Sequence, residues 1–294
     1  TGLEGVIILG SDIIISGNPL LKSLSGLENI EPSSIINLSV HDNDSLSFCE
    51  VESLCNYLSS PNGAVDIYNN SEGCNNPSEI ATNCGISLPC LPYGNYNLLS
   101  QADIDDFQLN YSGCNDLSGD VRIKGADITN LNGLNVIHSI GGSVLIYANS
   151  SLANLTGLEG LSSVAGNLSL FQNNLLTSLS GLDNLDSIGG VFTIDNNYAL
   201  TNLNGLSSLS NFSSILKINN NDALNSLTGL GDLVPFEGSL QISNNDGLMN
   251  LSGMESFNYM GGDLLIGGNI NLINLAGLDN IITIGGNLSV GFSI

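Results

Sequence analysis

Residues 157–206 read GLEGLSSVAGNLSLFQNNLLTSLS, then GLDNLDSIGGVFTIDNNYALTNLN, then GL once more, and this stretch decides the fold. The blocks open at Gly157, Gly181 and Gly205, an interval of 24 residues. Working outward, the same Gly-Leu pair stands at Gly133-Leu134, Gly229-Leu230 and Gly277-Leu278, with Gly253-Met254 in the remaining slot. Gly2-Leu3 and Gly26-Leu27 repeat the interval near the start. A fixed period of this size is the signature of repeat architectures, in which each unit is one coil stacked on the next.

Each block can be counted from its glycine as zero. Position 11 is apolar throughout (Val144, Leu168, Phe192, Leu216, Leu240, Leu264, Leu288), as is position 13 (Ile146, Leu170, Ile194, Ile218, Ile242, Ile266, Val290). Their alternation with mostly polar neighbours is the period of a half-buried strand. Positions 19 and 22 are leucine, as in Leu152 and Leu155, and the spacing by threes that follows suits tight, 3₁₀-like corners. Position 9 is glycine in most blocks (Gly142, Gly166, Gly190), which predicts a corner with positive φ or a close backbone approach. Position 16 is Asn149, Asn173, Asn197, Asn221, Asn245 and Asn269, placed to form a structural ladder at the turn after each strand. The expected fold is therefore a right-handed parallel β-solenoid of 24-residue coils. One coil alone buries too little to fold, so the stacking interfaces carry the stability.

Composition agrees with small repeated coils: hydrophobic residues make up 42%, aromatics only 5%, Trp is absent and Gly numbers 35. Four Lys and Arg stand against 28 Asp and Glu, a net charge of −24. So few cations leave almost nothing to neutralise phosphate, which excludes nucleic acid as a partner and disfavours anionic membranes. No apolar run is long enough to span a bilayer, so no membrane insertion by this segment is expected. The chain opens inside a repeat and stops at Ile294 just past a strand; both ends read as cut from something longer or sealed by a neighbour, with any signal or anchor lying outside.

The period breaks after the block at Gly26. Leu38, Val40, Asn43 and Leu46 keep it with one insertion, and from Cys49 to Cys114 it vanishes. All six cysteines lie there, which predicts a disulfide framework in an oxidising compartment rather than a zinc site, since no C-x-x-C pair exists. Six cysteines allow 15 pairings; the expected set is Cys49–Cys74, Cys55–Cys84 and Cys90–Cys114, with the others left open. Short helices are expected over 51–60, 77–84 and 100–110, the last opened by Ser100 with Asp103 three residues on. The domain reading is: 1–48, the last coils of a first solenoid; 49–90, a Cys-rich helical cap; 91–99, a linker; 100–116, a helical N-terminal cap; and 117–294, a second solenoid whose first strand holds Val121 and Ile123.

The unit L-x-I-x-x-N-x-x-L-x-x-L-x-G-L-x-x-L-x-x-I-x-G, as in residues 168–190, resembles the receptor L-domain class of leucine-rich repeats. The segment FCEVESLCNYL with its later GCN, and QADIDDFQLNYSGC followed by GDVRI and ITNLNGL, resemble those of secreted flavobacterial-type surface proteins. The resemblance covers nearly the whole chain. It implies an exported protein, often an adhesin, with no catalytic site; Asp44-Ser45-Leu46 and Asp186-Ser187-Ile188 resemble that group's O-glycan acceptor motif, which makes Ser45 and Ser187 candidate modification sites.

Catalytic motifs are missing: there is no G-x-S-x-G, H-E-x-x-H or P-loop. His41 is read as ending a strand and His138 as lying on a bend, each without a catalytic partner. No cofactor is expected. Tracts such as His41-Asp42-Asn43-Asp44 offer the oxygen ligands that Ca²⁺ takes, but no twelve-residue calcium loop accompanies them. Binding surfaces of solenoids lie on the outer face of the sheet, here Leu145, Tyr147, Phe171, Thr193, Asp195, Lys217, Asn219 and Gln241, with Tyr147 and Phe171 expected to stack on a ligand or on each other. The expected function is adhesion or ligand binding at a cell surface, to a protein, a glycan or copies of the chain itself. The competing expectation is a spacer, coat or filament subunit whose open coil ends stack.

Overall fold

The computed structural model describes residues 2–231 and 233–291. It is built mostly of parallel β-sheet with few helices, an arrangement compatible with a parallel β-solenoid. The chain divides into two compact units, residues 1–97 with 107–120, and residues 98–106 with 121–294.

In the second unit the strands Val121–Ile123, Val144–Tyr147, Leu168–Phe171, Phe192–Asp195, Ile215–Asn219, Ser239–Ser243, Leu264–Gly267 and Leu288–Gly291 pair in chain order. Every pair is parallel, and from Val144 onward the register advances by the sequence period: Leu168 faces Val144 and Phe192, and Ile218 faces Ile194 and Ile242. Positions 11 and 13 point inward and are buried throughout the central coils. Leu152, Leu176, Leu200 and Leu224 are all fully buried, as are Leu155, Leu179, Leu203 and Leu227. The spacing by threes is explained by tight turns, for Leu158 N donates to Leu155 O at 3.1 Å and Leu161 N to Leu158 O at 2.9 Å. A second set of short parallel strands, Ser139–Ile140, Ser163–Val164 and Ser187–Ile188, carries the position-7 residues; two residues per coil were too short a run to read in the sequence.

The asparagine ladder is continuous. Asn197 accepts from Asn173 N (3.0 Å) and Asn173 Nδ2 (3.3 Å), while its own Nδ2 donates to Leu170 O (3.0 Å) and to Asn221 Oδ1 (3.4 Å). The same bonds link Asn149 to Asn173, Asn221 to Asn245, and Asn245 to Asn269. The residue before each ladder asparagine is left-handed, as at Ala148 (φ 54°), Gln172 (57°) and Asn196 (56°). The two glycine columns have different causes. At position 0 the φ is itself positive from Gly157 to Gly277, +114° at Gly205, and a Cβ there would sit 2.1 Å from Leu179 O. At position 9 no positive φ occurs; at Gly166 a Cβ would lie 2.7 Å from Gly142 O, so close approach is the reason.

The first unit holds the parallel strands Ile13–Ser16, Leu38–Asn43 and Val65–Asn70. The third of these corrects the aperiodic reading of 49–90: Val65 and Ile67 take the buried places beside Leu38 and Val40, and Asn70 extends the ladder by accepting from Asn43 N at 3.2 Å. The period fails because this coil is longer. Its extra residues form the helix Glu52–Ser59, with Leu54 and Leu58 buried, and its register step is 27 residues. Helix Pro77–Cys84 follows, capped by Asn76 accepting from Glu79 N. Cys49–Cys74, Cys55–Cys84 and Cys90–Cys114 are bonded, the three pairs named from the sequence, and all lie in this unit. Three disulfides point to an oxidising, extracellular environment. No helix among the described residues is long and apolar enough to cross a membrane.

Three further readings change. Residues 91–99, expected as a linker, contain the strand Tyr96–Leu98, with both its end residues buried. The expected cap helix is broken into Gln101–Asp105 and Phe107–Asn110, and the break coincides with the division between units. Ser100 caps the first piece, accepting from Asp103 N at 3.2 Å, and Phe107 packs against Tyr96 and Tyr111 in the first unit. His41 lies within its strand rather than at the end of it, its ring stacked on Tyr68 at 4.8 Å.

Candidate binding face

Because positions 11 and 13 are inward, positions 12 and 14 of each coil of the second unit face out. The eight residues singled out from the sequence fall into two adjacent columns on this one face. Leu145, Thr193, Lys217 and Gln241 share a column with Ser169, in the register Arg122, Leu145, Ser169, Thr193, Lys217, Gln241. Tyr147, Phe171, Asp195 and Asn219 form the other, continued by Ser243. All eight are half-buried, shielded by their neighbours along the column while their outer parts meet solvent.

Tyr147 and Phe171 stack on each other, centroids 4.9 Å apart and planes 21° from parallel. Lys124 Nζ lies 5.3 Å from the Tyr147 centroid, a cation–π contact. Lys124 follows the strand preceding Tyr147's, and Phe171 lies on the strand after it, so both faces of Tyr147 are occupied. The pair therefore presents ring edges outward. Flat stacking of a ligand on Tyr147, one of the two arrangements expected, would need the rings to part. The His41–Tyr68 stack occupies the equivalent cross-strand position in the first unit; such pairs also stabilise the sheet that carries them.

Asp195 is held by two amides, Asn196 Nδ2 at 2.9 Å and Asn220 Nδ2 at 2.7 Å, and Ser243 Oγ donates to Asn219 Oδ1 at 2.6 Å. These bonds fix the polar half of the face. Sequence reasoning passed over Arg122 and Lys124. The signal was present: Val121 and Ile123 are inward, so the residues alternating with them face out, and cations are scarce enough that each one matters. With Lys217, three of the chain's four basic residues stand on this face.

No known protein family, curated protein or solved structure matches this chain.

The remaining candidates are placed as follows. Asp42, the core of the suggested calcium tract, bonds His41 Nδ1 at 2.8 Å and accepts from Asn69 Nδ2 at 3.0 Å. No group of three or more His, Cys, Asp or Glu able to hold a metal occurs among the described residues. Ser45 is half-buried in the turn after Leu38–Asn43, whereas Ser187 is half-buried inside a short strand paired to Ser163. Next to it, hydrogen bonds from Ser210 (2.6 Å) and Asn211 (2.7 Å) hold the Asp186 carboxyl below its ordinary range.

Proposed function

We propose that this chain is an extracellular, non-enzymatic binding module of the leucine-rich-repeat, receptor L-domain-like type, acting at a cell surface through the outward face of the second unit's sheet. The repeat assignment is supported by the 24-residue advance of the strand register and by the asparagine ladder at the same interval. One observation carries the binding reading. Along the sheet the inward columns repeat the same apolar chemistry, while the outward columns change from row to row, through Leu145, Ser169, Thr193, Lys217 and Gln241. Backbone geometry is held constant while side-chain chemistry varies, which is how a rigid scaffold displays a recognition surface.

The test is adhesion of beads coated with the full chain to cell surfaces and to a panel of immobilised glycans. Thr193→Arg, a bulky change in the middle of the face, abolishes capture under this reading, and Ser210→Arg, an exposed change away from the strand face, leaves it intact. Capture that survives Thr193→Arg with a normal melting curve removes the face from consideration. A second reading is a structural role in which copies of the chain associate end to end. Sedimentation velocity over a concentration series decides it, since an invariant monomer excludes end-to-end stacking.

A further inference from the structure

We propose that Asn204 is a site of self-modification, at which the backbone nitrogen of Gly205 closes on the Asn204 side chain to a succinimide that water opens to aspartate or isoaspartate. The chemistry needs no reactant besides water. Gly205 N bonds to Asn204 Cγ, the Cγ–Nδ2 bond breaks, and Nδ2 leaves as ammonia with the proton that Gly205 N gives up. Water then adds at Cγ, which restores the ordinary backbone as aspartate, or at the backbone carbonyl carbon of residue 204, which leaves the chain running through the side chain as isoaspartate. Glycine in the second place favours closure, because no Cβ shields its nitrogen.

The chain holds three Asn-Gly pairs, Asn62-Gly63, Asn132-Gly133 and Asn204-Gly205, and the last two sit in identical Leu-Asn-Gly-Leu tetrapeptides. The fold separates them. Asn62 Nδ2 donates to Pro32 O and Ile35 O, both at 3.3 Å, and Gly63 is packed so closely that a Cβ would lie 2.4 Å from Ile36 O. Asn132 and Gly133 belong to the 3₁₀ turn Asn132–Leu134; Asn132 O accepts from Asn135 N at 3.4 Å, and Gly133 has a partner of its own. Asn204 is exposed. Its backbone N–H donates to Asn202 Oδ1 at 3.0 Å, but its side chain has no hydrogen bond among the described residues.

The Gly205 nitrogen is uncommitted for a separate reason. In four coils the residue two places after the opening glycine is acidic and accepts from the glycine N–H: Glu159 from Gly157 at 2.8 Å, Asp183 from Gly181 at 2.9 Å, Glu255 from Gly253 at 2.8 Å and Asp279 from Gly277 at 3.1 Å. At Gly205 the corresponding residue is Ser207, and no group accepts from Gly205 N among the described residues. Asn204 O keeps its bond from Leu179 N at 2.9 Å, as Ser180 O keeps that from Leu155 N, so this coil is set apart by an uncommitted N–H beside an uncommitted amide. Gly205 is buried, but the attack is between adjacent residues, and the water that opens the ring arrives from the exposed Asn204 side. Isoaspartate there adds a methylene to the backbone between Leu203 and Leu206, both fully buried, and so loosens the coil.

The experiment incubates the full chain at mildly alkaline pH, in native buffer and in urea, and follows aspartate and isoaspartate at each Asn-Gly pair by peptide mapping with electron-transfer fragmentation. In native buffer Asn204 is converted at least tenfold faster than Asn132 or Asn62; in urea Asn132 and Asn204 react at equal rates, since their tetrapeptides are the same. Ser207→Asp, which supplies the carboxylate that the other coils use, slows conversion of Asn204 at least threefold and leaves the other two pairs unchanged. Aged wild-type protein melts at a lower temperature than fresh protein, and Asn204→Gln, whose longer side chain closes far more slowly, keeps its melting temperature on ageing. Melting of fresh protein checks that each variant is folded. Conversion of Asn204 no faster than that of Asn132 in native buffer overturns the proposal. So does a preference for Asn204 that survives in urea, which means that the fold does not select the site, and so does an unchanged rate in Ser207→Asp.

Discussion

Asn197→Ala is the change that most directly tests what holds the coils in register. Asn197 is fully buried, and its side chain makes four hydrogen bonds, accepting from the backbone and side-chain nitrogens of Asn173 and donating to Leu170 O and Asn221 Oδ1. Truncation leaves the buried Asn173 N–H with no acceptor, which costs about 1–3 kcal/mol. It also removes the bond to Leu170 O, worth about 0.5–1.5 kcal/mol net. The expected loss is therefore about 3 kcal/mol, comparable to a leucine truncation in the core. An internal control exists at Asn18, which opens the ladder in the first unit. It is exposed, and its side chain only donates, to Ser16 O and Asn43 Oδ1. Asn18→Ala leaves no buried donor stranded and should cost no more than about 0.5 kcal/mol. Urea unfolding followed by circular dichroism gives the two costs, and hydrogen exchange resolved to single amides gives the mechanism: the Asn173 amide loses protection in Asn197→Ala while amides of the first unit keep theirs. Equal costs at Asn18 and Asn197, or an Asn173 amide as protected as before, would refute the ladder as the source of register.

Other outcomes follow from the same geometry. Gly205→Ala, with φ at +114° and a Cβ that would collide with Leu179 O, should lower stability by about 3 kcal/mol or prevent folding, whereas Gly231→Ala, whose nearest contact would be 3.4 Å, should stay within about 0.5 kcal/mol; thermal melts of the two variants check this. Reduction with dithiothreitol should unfold the first unit and spare the second, which contains no cysteine, because each broken crosslink of 24 to 29 residues is worth about 3–4 kcal/mol; limited proteolysis with and without reductant reads it directly. The Asp186 carboxyl, lowered by Ser210 and Asn211, contributes its bonds above the ordinary carboxylate pKa and loses them as pH falls through the depressed value. An NMR titration should show it moving back up in the Ser210→Ala, Asn211→Ala double variant, and a titration unchanged by those substitutions would break the assignment.

The outward face was legible because a strand has a period of two: once Val144 and Ile146 were recognised as inward, Leu145 and Tyr147 had to face out, and the 24-residue interval extended this to Lys217 and Gln241. What those side chains do with one another was not legible. Whether Tyr147 and Phe171 offered faces or edges depended on the distance between strands and on Lys124 arriving from the preceding coil.

The sequence by itself determined the inward columns of the parallel sheet and its turn asparagines, because a periodic chain repeats the same local conflict between burial and hydrogen bonding every 24 residues and has one solution to repeat. Only the tertiary structure decided how the coil without that period closes. Val65 and Ile67 find the places next to Leu38 and Val40 although 27 residues intervene, because strand pairing rewards register and is indifferent to the length of chain looped out between strands. The surplus residues fold back as a helix whose Cys55 is bonded to Cys84, and no spacing rule read along the chain could have revealed that strand.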